Sequence, residues 1–251
     1  MGEYIAFIES AAFWAGLGQI CLINLILSGD NAVVIALASR NLPPQQRKQA
    51  IFIGTGAAIV LRVVLTLVAA YLLSFPYLQA IGGVLLIYIG IKLLTDEEGD
   101  EEMEASSNIG TAVKTIVVAD LIMSLDNVLA VAAIAKASGE HYMILVCLGL
   151  AISIPIIIAG SQLLVWVMNK FPPFVYIGAG LIGYAAGEMF VGDLRLGPVI
   201  VGTVDEETGA VLTHGLIPHS IEWIIPLLVA ALICGVGWYV RHKRAVARAS
   251  K

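Results

Sequence analysis

Long apolar segments separated by short polar turns run along nearly the whole chain. A membrane-spanning helix needs roughly 20 mostly apolar residues. The pattern predicts helices at residues 12–39, 46–73, 77–95, 111–137, 142–168, 174–191 and 220–240. Prolines at 43–44 and 172–173 mark two of the turns between them. The chain is therefore predicted to be an all-α membrane protein with seven transmembrane helices.

The first three predicted helices and the next three repeat one another at an offset of 96 residues. Identical pairs at this offset include Ser28 and Ser124, Asp30 and Asp126, Asn31 and Asn127, Gly82 and Gly178, and Tyr88 and Tyr184. Because three is an odd number, the second copy must enter the membrane from the opposite side. We therefore expect two inverted three-helix repeats, as in many secondary transporters, plus an unpaired seventh helix.

These features divide the chain into five parts. Residues 1–95 form the first repeat, 96–110 an acidic cytoplasmic linker and 111–191 the second repeat. Residues 192–219 form an extracytoplasmic loop, and 220–251 form the seventh helix with a basic cytoplasmic tail. Within the loop, the segments 199–204 and 210–212 flank a polar turn and predict a β-hairpin.

Composition and the distribution of basic residues support a membrane location. Charged residues make up 13% of the chain, against about 25% in soluble domains. If the N-terminus lies outside, the inner segments hold 11 Lys and Arg residues and the outer segments hold 2. This positive-inside bias predicts an external N-terminus and a cytoplasmic C-terminus. The basic tail therefore indicates topology, and no nucleic-acid binding is expected.

Polar residues interrupt the first and fourth predicted helices at matching positions. These are Asn24, Ser28, Asp30 and Asn31 in the first helix, and Asp120, Ser124, Asp126 and Asn127 in the fourth. A charged side chain at the bilayer centre costs about 3 kcal/mol or more, so such positions usually carry function. Asn24, Ser28 and Asn31 share one helix face, as do Asp120, Ser124 and Asn127. Asp30 and Asp126 lie one residue from that face, and a helix break near Gly29 or Ser124 would turn them inward.

Carboxylate, amide and hydroxyl oxygens suit Mg²⁺, Ca²⁺ or Mn²⁺ better than Cu⁺ or Zn²⁺. Three carboxylates would balance a divalent ion and leave one charge for a proton or for Arg62, which lies inside the second predicted helix. Arg62 would then be a charge partner that competes with the ion, or a gate. The alternative interpretations are a structural counter-ion for Arg62 and hydrogen bonds between helices for the Asn and Ser residues.

Three motifs resemble those of the TerC family of integral membrane proteins, and the resemblance is greatest to its short bacterial branch. The motifs are Gly29-Asp30-Asn31, Phe52-Ile-Gly54-Thr-Gly with Arg62, and Ser124-Leu-Asp126-Asn127, and the likeness covers about residues 12–240. The family is placed in the LysE superfamily of exporters, and several members are understood as manganese exporters. The resemblance implies that Asp30, Asn31, Asp126 and Asn127 bind metal. The metal, the export direction and the bacterial cell membrane are likewise implied by the resemblance alone.

We therefore expect a divalent-cation exporter, with Mn²⁺ preferred, that works by alternating access and uses no cofactor. The alternative is an exporter of amino acids or other small solutes, in which Arg62 would bind a carboxylate. A retinal protein is disfavoured because the apolar part of the seventh helix has no Lys, and an enzyme because no catalytic grouping is evident. The expected partners are the metal ion and the lipid bilayer, and the oligomeric state stays open, a homo-oligomer included.

Overall fold

The computed structural model describes residues 10–27, 29–72, 75–95, 108–137, 142–204 and 211–249. Within these ranges the helices are α1 Ala11–Leu27, α2 Gly29–Ser39, α3 Pro44–Leu72, α4 Leu78–Thr95, α5 Ile109–Ala137, α6 Tyr142–Lys170, α7 Phe174–Gly192, α8 Leu196–Val201 and α9 Ile224–Ala249. Strands β1 Gly202–Val204 and β2 Val211–His214 form an antiparallel pair, and a 3₁₀ turn covers His219–Ile221.

The predicted helices are present, with differences at four places. The seventh predicted helix begins later, at Ile224, and continues through Ala249 instead of ending at residue 240. The first predicted helix corresponds to α1 and α2, and the predicted break at Ser28 falls outside the described residues. Helix α5 runs through Ser124 without interruption, so the alternative break there is wrong. The predicted hairpin is confirmed only from Gly202 onward, because residues 199–201 belong to α8.

Five described helices contain segments long and apolar enough to cross a membrane, namely α3, α4, α6, α7 and α9. Many of their apolar side chains are exposed, including Phe52, Tyr88, Leu163 and Leu228. Such an extended apolar surface is unfavourable in water and indicates contact with lipid. The chain is therefore a multi-pass membrane protein, while seven spans and an inverted arrangement stay predictions.

Helices from the two predicted repeats are interleaved. Helices α1 and α2 pack against α6, α5 packs against α3, and α4 packs against α7. The largest apolar cluster accordingly draws on both repeats, with Val34, Leu86, Met123, Met168 and Ile182 among its members. Neither repeat encloses this core alone, so the helices of the two repeats form one packed body.

Helix α9 packs closely along α7 and also contacts α4. A Cβ atom at Gly183 of α7 would lie 2.7 Å from the Cα of Ala230. This glycine therefore allows the two helix backbones to approach, as small residues do at helix interfaces in membranes.

Three arginines gather at one end of the bundle. Arg40 Nη2 donates to the Leu93 carbonyl at 3.2 Å, and Arg244 Nη1 donates to the Thr95 carbonyl at 3.0 Å. These carbonyls end α4, where backbone acceptors lack helical donors and the helix dipole favours cations. Arg47 Nη2 donates to the Arg40 carbonyl at 2.9 Å. Basic residues that were assigned to the inner side therefore share one end of the molecule, called here the basic end.

At the opposite end, Asp193 joins the loop after α7 to the start of α4. Its side chain is buried and accepts hydrogen bonds from the backbone N–H groups of Ala80 at 3.1 Å and of Arg195 and Leu196, both at 2.9 Å. Burial alone would raise the pKa of Asp193, but the hydrogen bonds outweigh burial and hold the pKa below its usual value. The carboxylate thus caps the first turn of α4 and fixes the turn into α8.

Replacing Asp193 with Asn should lower the melting temperature of the purified protein near neutral pH, because an NH₂ group would replace one acceptor oxygen. Loss of such a cap costs about 1 to 2 kcal/mol. The pKa of Asp193 is lowered on folding, so the stabilisation is complete above the unfolded value near pH 3.9 and is lost as pH falls through the folded value. The difference in melting temperature between wild type and Asp193→Asn should therefore shrink in acid.

Melting in detergent across this pH range measures that difference. The matched control is Glu188→Gln, which neutralises an exposed acid on α7 and should change the melting temperature little at any pH. A difference between wild type and Asp193→Asn that stays constant down to about pH 3 would contradict a role for the charged carboxylate.

Candidate cation site

A buried ion pair links α3 to α5. Arg62 Nη2 donates to Asp120 Oδ1 at 2.7 Å, and the two side chains are 4% and 11% exposed. Arg62 Nε also donates to Ser124 Oγ at 3.0 Å, and Ser124 Oγ donates to Asp120 Oδ2 at 3.2 Å. The three side chains form a closed ring of hydrogen bonds. Such bonds to charged groups are what makes a buried ion pair tolerable.

Helix periodicity explains how α5 supplies two members of this ring. Asp120 and Ser124 are four residues apart, so their side chains lie one above the other on the same helix face. Helix α3 packs against that face and carries Arg62. Arg62 is thus paired with an acid, as both the charge-partner and the structural counter-ion interpretations expect, and its role stays a prediction.

Asp30 brings the first turn of α2 to the ion pair. Its carboxylate is partly buried and lies close enough to Arg62 and Asp120 to interact with both electrostatically. Asp30 Oδ1 also accepts a hydrogen bond from the backbone N–H of Asn31 at 2.8 Å. The positive end of the α2 dipole favours a carboxylate at this position. Two acids and one arginine therefore occupy one buried region.

Asn31 is buried, and its side chain has no hydrogen bond within the described part of the chain. The residue is 2% exposed, and neither Nδ2 nor Oδ1 has a partner among the described residues. An unsatisfied buried polar group costs about 1 to 3 kcal/mol and is uncommon in native proteins. Thr55 Oγ1 on α3 is also buried and lacks a partner within the described structure. Both residues offer oxygen atoms of the kind that hard cations accept.

The structure describes four of the predicted site residues incompletely or not at all. Ser28 lies outside the described residues, and for Asn24, Asp126 and Asn127 only the helical backbone is described. Among the described residues, no three His, Cys, Asp or Glu side chains are grouped as metal ligands. The structure thus brings together Asp30, Asp120 and Ser124, with Asn31 adjacent to Asp30, and the metal role of the whole set stays a prediction.

An apolar layer separates this polar cluster from the basic end. It consists of Ala32, Ile35, Ile51, Ile116 and Ile157, from α2, α3, α5 and α6. Along α3, Ile51 lies between Arg47 and Thr55, and along α5, Ile116 lies one turn before Asp120. These apolar side chains therefore lie between the polar cluster and the basic end along α3 and α5.

Comparison with known proteins places this architecture in a family. The model described as "Integral membrane protein TerC family" matches residues 9–245. The chain belongs to the TerC family. This TerC chain is 43% identical over 211 residues to the uncharacterized membrane protein YjbE of Bacillus subtilis (strain 168), and the match covers 84% of the chain and 88% of YjbE.

Two more distant relatives also match. The uncharacterized membrane protein YceF of the same organism is 25% identical over 243 residues, covering 93% of the TerC chain and 85% of YceF. The UPF0053 protein YegH of Escherichia coli (strain K12) is 27% identical over 190 residues, covering 68% of the chain but 35% of YegH. No solved structure matches the chain.

The ion pair of this TerC chain has no equivalent at the repeat offset. Position 158, which corresponds to Arg62, is Ile158, and position 24, which corresponds to Asp120, is Asn24. The pair takes one charge from each half, and its counterparts are the apolar Ile158 in the second half and the neutral Asn24 in the first. The two half-sites differ in charge, as the sequence had indicated.

Removing one partner of the ion pair should lower stability more than removing both. Arg62→Gln leaves Asp120 buried without its cation, and Asp120→Asn leaves Arg62 without its anion. Breaking a buried pair in this way costs about 3 to 5 kcal/mol. The double variant has neither charge, so its melting temperature in detergent should exceed that of the less stable single variant.

Ser124→Ala provides the matched control, because it removes hydrogen bonds of the same ring and keeps both charges. Ser124→Ala should lower the free energy of unfolding by less, about 1 kcal/mol. If the loss of stability in the double variant equalled the sum of the losses in the two single variants, the two charges would not stabilise each other and the prediction would be wrong.

Proposed function

We propose that this TerC-family protein exports a divalent metal cation, with Mn²⁺ preferred, by alternating access around the cluster of Asp30, Asn31, Asp120 and Ser124. Asp126, Asn127, Asn24 and Ser28 complete the proposed site. The protein acts as a transporter rather than an enzyme, in the bacterial cell membrane, with its N-terminus outside and its C-terminus in the cytoplasm. The observation that carries the proposal is the side chain of Asn31, which is buried and has no hydrogen-bond partner among the residues that the structure describes.

A purely structural Asn31 would be expected to have a hydrogen-bond partner. Buried amides that hold helices together do so through such bonds, whereas Asn31 has none among the described residues. A ligand role explains why the amide is kept there despite its cost, because its oxygen then binds the ion. The adjacent Asp30 supplies the negative charge that a cation needs beside this oxygen.

The charges of the proposed site suit a divalent ion. Asp30, Asp120 and Asp126 together carry three negative charges, and Arg62 offsets one of them through its ion pair with Asp120. The remaining two match Mn²⁺ or another divalent cation. Arg62 is thus an internal cation that stabilises Asp120 and competes with the metal for it.

The packing supports a mechanism in which two similar halves move against each other. Helices α1 and α2 contact α6, and α5 contacts α3, which is the reciprocal pattern expected of halves related by a two-fold axis. The apolar layer lies between the site and the basic end, which the positive-inside rule assigns to the cytoplasm. An ion in this conformation would be closed off from the cytoplasm, as required late in export.

An amino-acid exporter is less well supported. It would need Arg62 to bind the substrate carboxylate, but the guanidinium already contacts Asp120 and Ser124. A radiolabelled amino acid that bound to the purified protein, with no thermal shift on adding Mn²⁺, would reverse this preference.

Asp30→Ala and Asp126→Ala should each abolish Mn²⁺ efflux while the protein still inserts in the membrane. Each change removes a proposed ligand and one negative charge, so efflux from manganese-loaded cells should fall by about tenfold or more. The measurement is the rate of loss of radioactive manganese from cells that lack other manganese exporters, normalised to protein in the membrane fraction.

Glu188→Gln is again the matched control, because it removes an exposed carboxylate on α7 outside the site. It should leave efflux close to that of wild type. Unchanged manganese efflux in either aspartate variant would refute the proposed site.

Asn31→Leu should separate transport from folding. Leucine has a similar size and no polar atoms, so replacement removes an unsatisfied group that costs about 1 to 3 kcal/mol. We expect a melting temperature equal to or above that of wild type, together with loss of manganese efflux. A clear fall in the melting temperature, or normal efflux by a stable variant, would argue against the ligand role.

A further inference from the structure

A second feature lies at the basic end of the bundle, apart from the proposed cation site, and combines apolar surface with basic and amide groups. It is a cavity of about 230 Å³ between the first turns of α3 and the last turns of α6. The residues that line it include Arg47, Lys48, Ile51, Gln162, Trp166 and Asn169. Cavities for drug-sized ligands usually measure about 300 to 1,000 Å³, so this one suits a smaller group.

The lining favours an anion. Arg47 and Lys48 provide two positive charges, and Gln162 and Asn169 provide amide donors. No Asp or Glu is present in residues 31–95 or 141–187, the segments that supply both walls. Nothing in these walls would therefore attract a metal ion, and the cavity cannot be the cytoplasmic entrance of the cation site without repelling its cargo.

The arginine in this cavity is held in place before any ligand arrives. Arg47 Nη2 donates to the carbonyls of Arg40 at 2.9 Å and Leu42 at 3.0 Å. A guanidinium fixed in this way loses little freedom when it binds an anion, and its geometry suits phosphate oxygens. A third cation lies beside the cavity, because Lys170 Nζ is 5.0 Å from the centre of the Trp166 ring.

The position of the cavity points to the source of the anion. The cavity lies where α3 begins and α6 ends. Trp166 is 56% exposed there. Exposed Trp and Lys residues at helix ends are typical of the level of lipid headgroups. Basic pockets between transmembrane helices on the cytoplasmic side bind anionic headgroups in other membrane proteins. The exposed ring of Trp166 provides apolar surface for the adjoining part of a lipid.

We propose that this cavity binds the phosphate group of an anionic phospholipid from the cytoplasmic leaflet. The test uses the purified full-length protein, stripped of lipid in detergent. Its melting temperature is measured with added phosphatidylglycerol, phosphatidylcholine or inorganic phosphate. Phosphatidylglycerol should raise the melting temperature in a concentration-dependent way, and the other two should have little effect.

Lys48→Gln should weaken the apparent affinity for phosphatidylglycerol by about fivefold, the contribution expected of one basic residue near an anionic surface. Arg47→Gln should weaken the affinity for phosphatidylglycerol further. Because Arg47 also holds the turn before α3, the Arg47→Gln variant could fail to fold, and Lys48→Gln then still tests the proposal. Lys114→Gln, which removes an exposed cation at the same end of the bundle, should keep the wild-type response.

The outcomes separate the sources of the phosphate group. A shift with inorganic phosphate alone that is lost in Lys48→Gln would retain an anion site but overturn the lipid assignment. Equal shifts with both lipids, no shift at all, or a wild-type response in Lys48→Gln would overturn the proposal. None of these results depends on manganese transport, so the site can fail or stand independently of the proposed export function.

Discussion

The ion pair between Arg62 and Asp120 is the interaction on which the interior of the bundle depends. It joins α3 of the first predicted repeat to α5 of the second, at 2.7 Å and away from water. An unpaired charge at this depth would cost several kcal/mol, so the two helices must keep the register that holds the pair together. Asp30 on α2 lies within electrostatic range of the same pair. The ion pair thereby fixes α3 against α5 at the candidate site, with the acid of a third helix nearby.

Some of the polar groups near this pair have hydrogen-bond partners among the described residues, and others have none. Ser124 and Asp120 complete a hydrogen-bonded ring with Arg62, which a stable core requires. Asn31 and Thr55 have buried polar atoms without partners in the described structure. Proteins keep such local conflicts chiefly where function needs them. The bundle thus combines a rigid charged centre with oxygen atoms that folding alone does not use.

The sequence predicted the features that depend on local pattern. Helix positions followed from the length of apolar segments, and Asp30, Asp120 and Ser124 followed from polar residues repeated within them. Pattern could not select Asp120 as the partner of Arg62, because three acids were equally available and contacts between helices leave no periodic signal. Asp193 was missed since an acid in a loop usually faces water, whereas its backbone partner Ala80 lies 113 residues away. Residues 199–201 were assigned to a strand because Val and Ile favour strands, but the chain continues there as α8.

The apolar layer of four isoleucines and one alanine has a consequence for energy conservation in the membrane. Its side chains contain no donor or acceptor that could hold a file of water molecules. Narrow apolar constrictions exclude water, and without water no chain of hydrogen bonds carries protons. The residues that lie between the cluster and the basic end therefore resist leakage of protons through this part of the bundle. A membrane protein with a charged centre can in this way reside in an energised membrane without dissipating its potential.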